Sequence, residues 1–225
     1  MEKVIIANQK MNMTLDETQE FIRGLLKANF NYVICPSSIY IPYYVNKKIK
    51  TGIQNIYIED FGAYTGEVSA SQAKSSKVSY VLIGHSERRR IFNENDNEVN
   101  LKVKKALENN LKVILCVGEN LGEDYKEVLY RQITLGLKDV SDEVIISYEP
   151  VYSIGTGIVP SNEEIIEVIK YIKSLFSYDV KVLYGGSVNT DTAEKLKEID
   201  ALSGYLVGTA ATKIDEFIKI GEVLG

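Results

Sequence analysis

The chain has 225 residues, of which 45% are hydrophobic and 25% are charged, an ordinary balance for a folded globular protein. Its 26 lysines and arginines are outnumbered by 31 aspartates and glutamates, and the net charge of −5 disfavours nonspecific nucleic-acid binding, which needs a broad basic surface. The apolar runs are far shorter than the roughly 18 residues that span a bilayer, so we expect no membrane-spanning segment.

The N-terminus and the cysteines indicate a cytoplasmic protein. Met1-Glu2-Lys3 lead directly into a strand-like run, so a secretory signal peptide is not expected. Cys35 and Cys116 lack the paired spacing of a disulfide framework or of a zinc motif. We therefore expect two buried, reduced thiols, no metal site and a cytoplasmic location.

Short β-rich runs alternate with helical patterns along the whole chain, and no linker or composition shift divides it. Most of these runs are continuously apolar, as expected of parallel strands that are buried on both faces. Ser161 with Glu164, and Thr14 with Glu17, predict capped helix starts. Eight strands are predicted, at residues 3–7, 32–35, 52–55, 80–83, 112–117, 144–148, 180–184 and 204–207.

Eight strand–helix units of about 28 residues each fit two architectures, a closed barrel and an open doubly wound sheet. An open nucleotide-binding sheet normally has a glycine-rich turn directly after its first strand. Here the first strand is followed by Asn8-Gln9-Lys10-Met11-Asn12, which contains no glycine. The sequence therefore predicts an α/β fold with a parallel closed sheet, a single-domain (β/α)8 barrel over residues 1–225.

Glycine-containing turns follow the last two predicted strands, at the carboxyl ends where such barrels carry their chemistry. They are Gly185-Gly186-Ser187 and Gly208-Thr209. These two loops are the usual phosphate site of the fold, because glycine lets backbone amides approach an anion. Either turn alone is explained equally well by a tight connection, but their joint position favours a phosphorylated ligand.

Three side chains at strand ends have the chemistry of an acid–base enzyme. Glu149 ends an apolar strand, where a partly desolvated carboxylate can serve as a general base, although a salt-bridging or capping role also fits this position. His85 is the only histidine; it is either structural or a neutral hydrogen-bond donor facing the N–H groups of a helical turn. Lys10 is either a solvated lysine or the cation for an anionic substrate.

Residues 150–157 have the composition of a lid, since a proline opens the segment, glycines lie near its tip and far end, and Ile154 can fold over a ligand. An ordinary long loop would have the same composition. A base, a neutral electrophile, a cation, a phosphate site and a lid together favour cofactor-free proton abstraction next to a carbonyl. Two alternatives stay open: another phosphosugar isomerase, such as one acting on an aminated ribose phosphate, and a catalytically silent phosphate binder.

The same residues resemble the triosephosphate isomerase family, and the resemblance extends over essentially the whole chain. Six blocks occur in the family's order at the expected strand ends: Asn8-x-Lys10-Met11-Asn12, Gly84-His85-Ser86-Glu87-Arg88-Arg89, Cys116-Val117-Gly118-Glu119, residues 148–157, Tyr184-Gly185-Gly186-Ser187 and Val207-Gly208. The resemblance implies a TIM barrel and an isomerase of glycolysis and gluconeogenesis. Such an enzyme would interconvert dihydroxyacetone phosphate and glyceraldehyde 3-phosphate through an enediolate, without a cofactor.

The resemblance also implies a role for each site residue. Glu149 would shuttle the proton, and His85 and Lys10 would polarise the substrate oxygens together with Asn8. Glu94 would be the acidic residue that contacts the lysine. The residues that would bind the phosphate or cover the ligand are Gly155, Ser187, Gly208, Thr209 and Ile154.

The chain departs from the family pattern at several positions. Gln9 and Tyr152 stand where tryptophans are common, Pro160 lies at the distal hinge of the lid, and Thr209 replaces the second glycine of the last loop. Lid motion and phosphate affinity are therefore the properties expected to differ. Residues 62–69 resemble the family's third loop, which implies a homodimer; the alternative is an exposed loop on a monomer.

Overall fold

Eight parallel strands form a closed barrel in the computed structural model, which describes residues 3–225. Neighbouring strands follow the order β2-β1-β8-β7-β6-β5-β4-β3. A parallel bridge between Ile34 and Thr51 joins β2 to the start of β3 and closes the ring, so the predicted (β/α)8 barrel is confirmed. The strands β1 to β8 are Val4–Asn8, Tyr32–Cys35, Gly52–Ile53, Tyr80–Ile83, Lys112–Val117, Ile145–Tyr148, Lys181–Tyr184 and Gly204–Val207.

Nine α-helices accompany these strands within residues 3–225. The two predicted capping boxes are confirmed, by Thr14 and Glu17 at the first helix and by Ser161 and Glu164 at the seventh. Each pair satisfies backbone N–H groups that a helix start leaves without an intrahelical partner. The helices α1 to α9 are Leu15–Leu25, Ile41–Val45, Ala70–Ser75, Ser86–Ile91, Asp96–Glu108, Tyr125–Gly136, Asn162–Ser174, Thr190–Leu196 and Ile214–Leu224.

Both cysteines are buried and unpaired, as expected. Burial raises the pKa of the Cys35 thiol to about 12, so it stays protonated and unreactive at neutral pH. Across the described part of the chain, no helix combines the length and the apolar character needed to cross a membrane. The expectation about a signal peptide rests on Met1 and Glu2, which lie outside the described residues.

Strands β6 and β7 each begin one residue later than predicted, and Tyr178 explains both differences. The backbone N–H of Val144 donates to the Tyr178 hydroxyl at 3.3 Å. The backbone N–H of Val180 donates to the Tyr178 carbonyl at 2.9 Å. Because both N–H groups are already engaged, neither extends the ladder between the strands.

Strands β1 and β3 also differ from their predicted bounds, at the end that faces the site. β1 begins and ends one residue later than predicted, and its last residue, Asn8, pairs with Cys35 of β2. β3 ends two residues early. The side-chain amide of Gln54 donates to the carbonyls of Cys35 and Lys10, both at 2.9 Å, so a side chain replaces the ladder here.

The barrel interior and the helix layer form two separate apolar cores. Successive residues of a strand point to opposite faces, so Ile5 and Ala7 of β1 pack toward the helices while Ile6 between them points inward. The interior is therefore a packed floor beneath the carboxyl ends of the strands. Its buried members are Ile6, Val33, Cys35, Leu82, Ile114, Cys116, Leu183 and Leu206.

Candidate active site

A cavity of about 300 Å³ opens at the carboxyl ends of the strands. Glu149 is not one of the lining residues, but its carboxylate faces His85, which is. Glu94 points elsewhere, toward Lys102. The predicted site residues that line the cavity are Asn8, Lys10, His85, Ile154, Gly155, Ser187, Gly208 and Thr209.

Glu149 directly follows β6 and is only 1% exposed. Its N–H donates to the Val117 carbonyl of β5 at 2.8 Å, and Gly118 permits this close approach because a Cβ atom there would overlap the Glu149 carbonyl. Carboxylate Oε1 accepts a hydrogen bond from the Ser147 hydroxyl at 3.2 Å, whereas Oε2 has no hydrogen-bond partner among residues 3–225. A buried carboxylate with one free oxygen is suited to accept a proton.

His85 is the N-cap of α4, and its ring is buried beside Glu149. The backbone N–H of Glu87 donates to Nδ1 at 3.2 Å, so Nδ1 provides a lone pair and the proton of a neutral ring lies on Nε2. Nε2 is 3.3 Å from Oε2 of Glu149. A neutral ring of this tautomer presents a donor to the space that the free carboxylate oxygen faces.

Lys10 has a left-handed backbone conformation, with φ of 53°, which costs about 1–3 kcal/mol for a residue other than glycine. Two side chains hold its carbonyl in place: Ser37 donates from Oγ at 3.0 Å and Gln54 from Nε2 at 2.9 Å. The ammonium nitrogen lies 2.6 Å from Oε1 of Glu87. Lys10 is therefore a paired cation at the cavity rather than a freely solvated lysine.

Glu87 is a site residue to which the sequence pattern assigned no role. Burial favours a higher pKa for its carboxyl group, but the hydrogen bond and the charge of Lys10 outweigh it and hold the pKa of Glu87 below its usual value. Its second oxygen lies 3.7 Å from Nδ1 of His85. Glu87 thus connects the cation and the imidazole, and the available signal was its place two residues after His85.

Glu94 does not contact Lys10, which corrects the contact that the resemblance implied. Its buried carboxylate pairs with Arg88 Nε at 2.8 Å and with Lys102 Nζ. Burial favours a higher pKa for Glu94, but the hydrogen bonds and charges of Lys102 and Arg88 lower it overall. Because Lys102 lies on α5, Glu94 joins the segment after α4 to the next helix, while Glu87, on the first turn of α4, reaches Lys10.

The loops after β7 and β8 form the other side of the cavity, where the phosphate was predicted. Gly208 lies beside the cation, since a Cβ atom on it would be 3.8 Å from Nζ of Lys10. The Ser187 N–H, in contrast, already donates to the Ser153 hydroxyl at 3.2 Å. An anion would therefore compete with Ser153 for that amide, a competition that the sequence did not reveal.

Ser153 anchors the lid through a fully buried hydroxyl group. The hydroxyl donates its one proton to the Ile158 carbonyl, so the Tyr184 hydroxyl, 3.2 Å away, must be the donor in the bond between these two side chains. With the Ser187 N–H, Ser153 has three partners. They tie both ends of the exposed lid tip to the end of β7 and to the loop after it. Sequence reasoning missed Ser153 because two of these partners lie over 30 residues away.

Lys10 and His85 thus line one cavity with a cation and an imidazole ring, and the Glu149 carboxylate faces that ring. Within residues 3–225, no group of three or more histidine, cysteine, aspartate or glutamate side chains is placed to hold a metal ion. An acceptor opposite a donor is the arrangement that moves a proton beside a polarised oxygen.

Comparison with known proteins identifies the family to which the chain belongs. A family model described as triosephosphate isomerase matches residues 3–224. The chain belongs to the triosephosphate isomerase family. The triosephosphate isomerase of Alkaliphilus metalliredigens is 41% identical, with 98% of this chain and 99% of that relative covered.

Two clostridial relatives belong to the same family and are similar to this chain over nearly its whole length. The triosephosphate isomerase of Clostridium botulinum is 40% identical, covering 96% of this chain and 97% of that relative. The triosephosphate isomerase of Clostridium tetani is also 40% identical, covering 98% of this chain and 96% of that relative. The resemblance to the triosephosphate isomerase family seen in six sequence blocks is confirmed, and the chain is an isomerase.

Proposed function

We propose that this chain interconverts dihydroxyacetone phosphate and glyceraldehyde 3-phosphate, as one domain over residues 1–225 and without a cofactor. The observation that carries the proposal is the pairing of Glu149 with His85, whose Nε2 lies 3.3 Å from the unbonded Oε2. From these positions a carboxylate can take a proton from carbon while an imidazole N–H stabilises the neighbouring oxygen.

The proton transfer uses Glu149 twice. Its carboxylate removes a proton from the carbon next to the substrate carbonyl, and the electron pair of that C–H bond shifts to give an enediolate. His85, Lys10 and Asn8 stabilise the negative charge on oxygen. A hydroxyl proton passes from one oxygen to the other, and Glu149 returns its proton to the second carbon. Substrate and product have the same atomic composition, although the proton held on Glu149 exchanges with solvent before it is returned.

The substrate phosphate binds between the lid and the last two βα loops. Gly208 and Thr209 line the cavity on the side of β8, and Ser187 lines it on the side of β7. Gly155 and Ile154 come from the lid, which closes over the ligand and excludes water from the enediolate. The phosphate displaces the Ser153 hydroxyl from the Ser187 N–H.

A coupled assay with glyceraldehyde 3-phosphate tests the proposed function. We expect turnover that a phosphoglycolate-type mimic of the enediolate inhibits competitively. An aminated ribose phosphate in the same assay serves as the alternative substrate, and turnover of that compound alone would identify a different phosphosugar isomerase. Tight binding of the mimic without any turnover would identify a silent phosphate binder.

We also propose that the chain is a cytoplasmic homodimer. Met11, after β1, is 94% exposed and Phe61, next to the loop at residues 62–69, is 83% exposed. Large apolar side chains exposed to this degree favour burial against a partner. Sedimentation is expected to give about twice the 25.2 kDa of one chain at micromolar concentration, and the mass of one chain would exclude the dimer.

A further inference from the structure

Ser147 is a buried hydroxyl inside the barrel, two residues before Glu149. Alternate residues of a strand share a face, so the side chains of Ser147 and Glu149 point to the same side of β6. Tyr148, between them, packs in the outer core instead. The neighbours of Ser147 in register are Cys116 on β5 and Leu183 on β7, both members of the interior core.

A serine at this position must find a hydrogen-bond partner, because an unsatisfied hydroxyl is costly in an apolar interior. Ser147 is completely buried, and its hydroxyl donates to Oε1 of Glu149 at 3.2 Å. An alanine would fill nearly the same space. The hydroxyl therefore differs from a plain core side chain chiefly in the bond that it gives to the carboxylate.

The strand beside Ser147 leaves room for this bond. Gly185, directly after β7, lies so close that a Cβ atom on it would be 2.6 Å from Cγ of Glu149 and 2.8 Å from Oγ of Ser147. Real Cβ atoms do not approach this closely, so any other residue here would push the two side chains apart. Gly185 thus provides the space in which Ser147 meets Glu149.

The bond makes the two oxygens of the carboxylate different. Oε1 is occupied by Ser147, whereas Oε2 has no hydrogen-bond partner among residues 3–225 and lies 3.3 Å from Nε2 of His85. A carboxylate held at one oxygen loses most of its freedom to rotate. The free oxygen then stays directed toward the cavity that His85 lines.

We propose that Ser147 is a positioning residue for the proton transfer: its hydroxyl holds Oε1 of Glu149 and so keeps Oε2 directed at the substrate carbon. The inference rests on the proposed function, in which Glu149 is the base. Ser147 does not touch the substrate, and it acts only through the carboxylate. A donated hydrogen bond also favours the ionised form of a carboxylate, which is the form that accepts the proton.

Other groups around the carboxylate are the same with or without this hydroxyl. His85 faces Oε2 from the loop after β4, and Lys10 lines the cavity that His85 also lines. Cys116 approaches from β5; burial, then the charge of Glu149 and a hydrogen bond to Glu149, raise the pKa of its thiol well above the usual value, so it stays protonated and keeps this contact in either variant. The positive charge of Arg89, on α4, lowers the pKa of that thiol, but by less than these groups raise it. Removing the hydroxyl therefore isolates one hydrogen bond.

The test compares Ser147→Ala with the unchanged enzyme, using kcat and KM for glyceraldehyde 3-phosphate across a range of pH. We expect kcat to fall about 3–10-fold with little change in KM, because orientation is lost while phosphate binding is not. We expect the acidic limb of kcat/KM to move to higher pH by about half to one unit, since the ionised form loses a hydrogen bond. Ser147→Cys introduces a weaker hydrogen-bond donor of similar size, so its kcat and its pH profile should lie between those of Ser147→Ala and the unchanged enzyme.

Thr18→Val is the matched control, because the Thr18 hydroxyl on α1 is also buried but lies outside the site and has no partner among residues 3–225. It should leave the pH profile unchanged. If Ser147→Ala and the unchanged enzyme gave overlapping profiles and equal kcat, the positioning role would be wrong while the proposed function would stand.

A carbon-13 NMR titration of the Glu149 carboxyl group, without substrate, separates the two proposals. A midpoint that rises in Ser147→Ala supports the coupling even if the enzyme fails to turn over glyceraldehyde 3-phosphate, in which case only the proposed function is wrong. Equal midpoints in the two proteins would contradict the coupling whatever the activity.

Discussion

The proton-transfer end of the cavity is built from buried side chains, whereas the phosphate end is built largely from backbone and from an exposed lid. Glu149 and His85 stand at strand ends, and each is oriented by one short-range hydrogen bond. At the other end, Gly208 lines the cavity with backbone atoms, and the tip of the lid is exposed to solvent. One buried hydroxyl, on Ser153, ties that lid to the barrel.

This difference in construction separates the kinetic effects expected at the two ends. A rigid side chain at a strand end acts mainly in the transition state, so its loss lowers kcat. A loop that must open and close acts on substrate binding and on water exclusion. A substitution that disturbs such a loop therefore raises KM or slows the opening or closing of the lid. Substitutions at each end therefore test whether the cavity has two distinct halves.

Glu149→Asp should give the largest effect, at the proton-transfer end. The shorter side chain withdraws the carboxylate from the substrate by about 1.5 Å, the length of one C–C bond. We expect kcat to fall about 100- to 1,000-fold with KM nearly unchanged, measured in the coupled assay. Circular dichroism and the thermal midpoint should match the unchanged enzyme, and full turnover would show that another residue is the base.

Glu94→Gln should give the second largest effect, on stability, because it leaves the buried Lys102 and the half-buried Arg88 without their counter-charge. We expect the free energy of unfolding at neutral pH, from urea titration, to drop by about 2–4 kcal/mol. The lowered pKa of Glu94 means that its stabilisation is complete above the unfolded value of about 4.3 and is lost as the pH falls through the folded value. The two proteins should therefore converge in acid.

Glu108→Gln is the control for that prediction. Glu108 also pairs with a lysine, Lys105, at 2.7 Å, but its side chain is 61% exposed. Exposed ion pairs contribute about 0–1 kcal/mol, so this variant should stay close to the unchanged protein. An equal loss in both variants would mean that burial of Glu94 does not matter.

Ser153→Ala should give a smaller effect, confined to the phosphate end. The substitution removes the competitor for the Ser187 N–H. It also removes the contacts of Ser153 with the Ile158 carbonyl and the Tyr184 hydroxyl that anchor the lid, and the loss of the anchored lid is the larger effect. We expect kcat/KM to fall about 3–10-fold, mostly through KM. Ser174→Ala, an exposed serine on α7 that bonds the Tyr171 carbonyl, is the control. A loss confined to kcat would place Ser153 with the proton-transfer end instead.

Thr209→Gly should give the smallest effect. Thr209 is exposed on the cavity rim, and glycine keeps its backbone N–H while removing a side chain next to the phosphate. We expect KM to change about twofold, with kcat unchanged. A large change in kcat would indicate that the Thr209 hydroxyl takes part in the proton transfer.

The features that the sequence predicted well are local ones. Apolar runs located the eight strands, and the Ser161–Glu164 spacing located the start of α7, because both depend on residues within one turn or one strand. The starts of β6 and β7 were wrong by one residue, because Tyr178 bonds backbone groups on both sides of itself. That interaction has no signature in the apolar pattern.

The partners of polar side chains could not be predicted in the same way. Glu87 and Glu94 both follow β4, and only the direction in which α4 leaves the strand decides that Glu87 meets Lys10. Ser147 has its partner two residues away, yet a serine in an apolar strand has no distinctive pattern until the neighbouring Gly185 shows how little room there is.

Hydrogen exchange at the substrate carbon tests the central claim most directly, that Glu149 moves the proton. Glyceraldehyde 3-phosphate is turned over in heavy water by the unchanged enzyme and by Glu149→Gln, and deuterium next to the carbonyl is followed by NMR. We expect the unchanged enzyme to introduce deuterium and Glu149→Gln to do so at least about 1,000-fold more slowly, because an amide cannot accept the proton. Equal rates of deuterium incorporation in the two proteins would contradict the account.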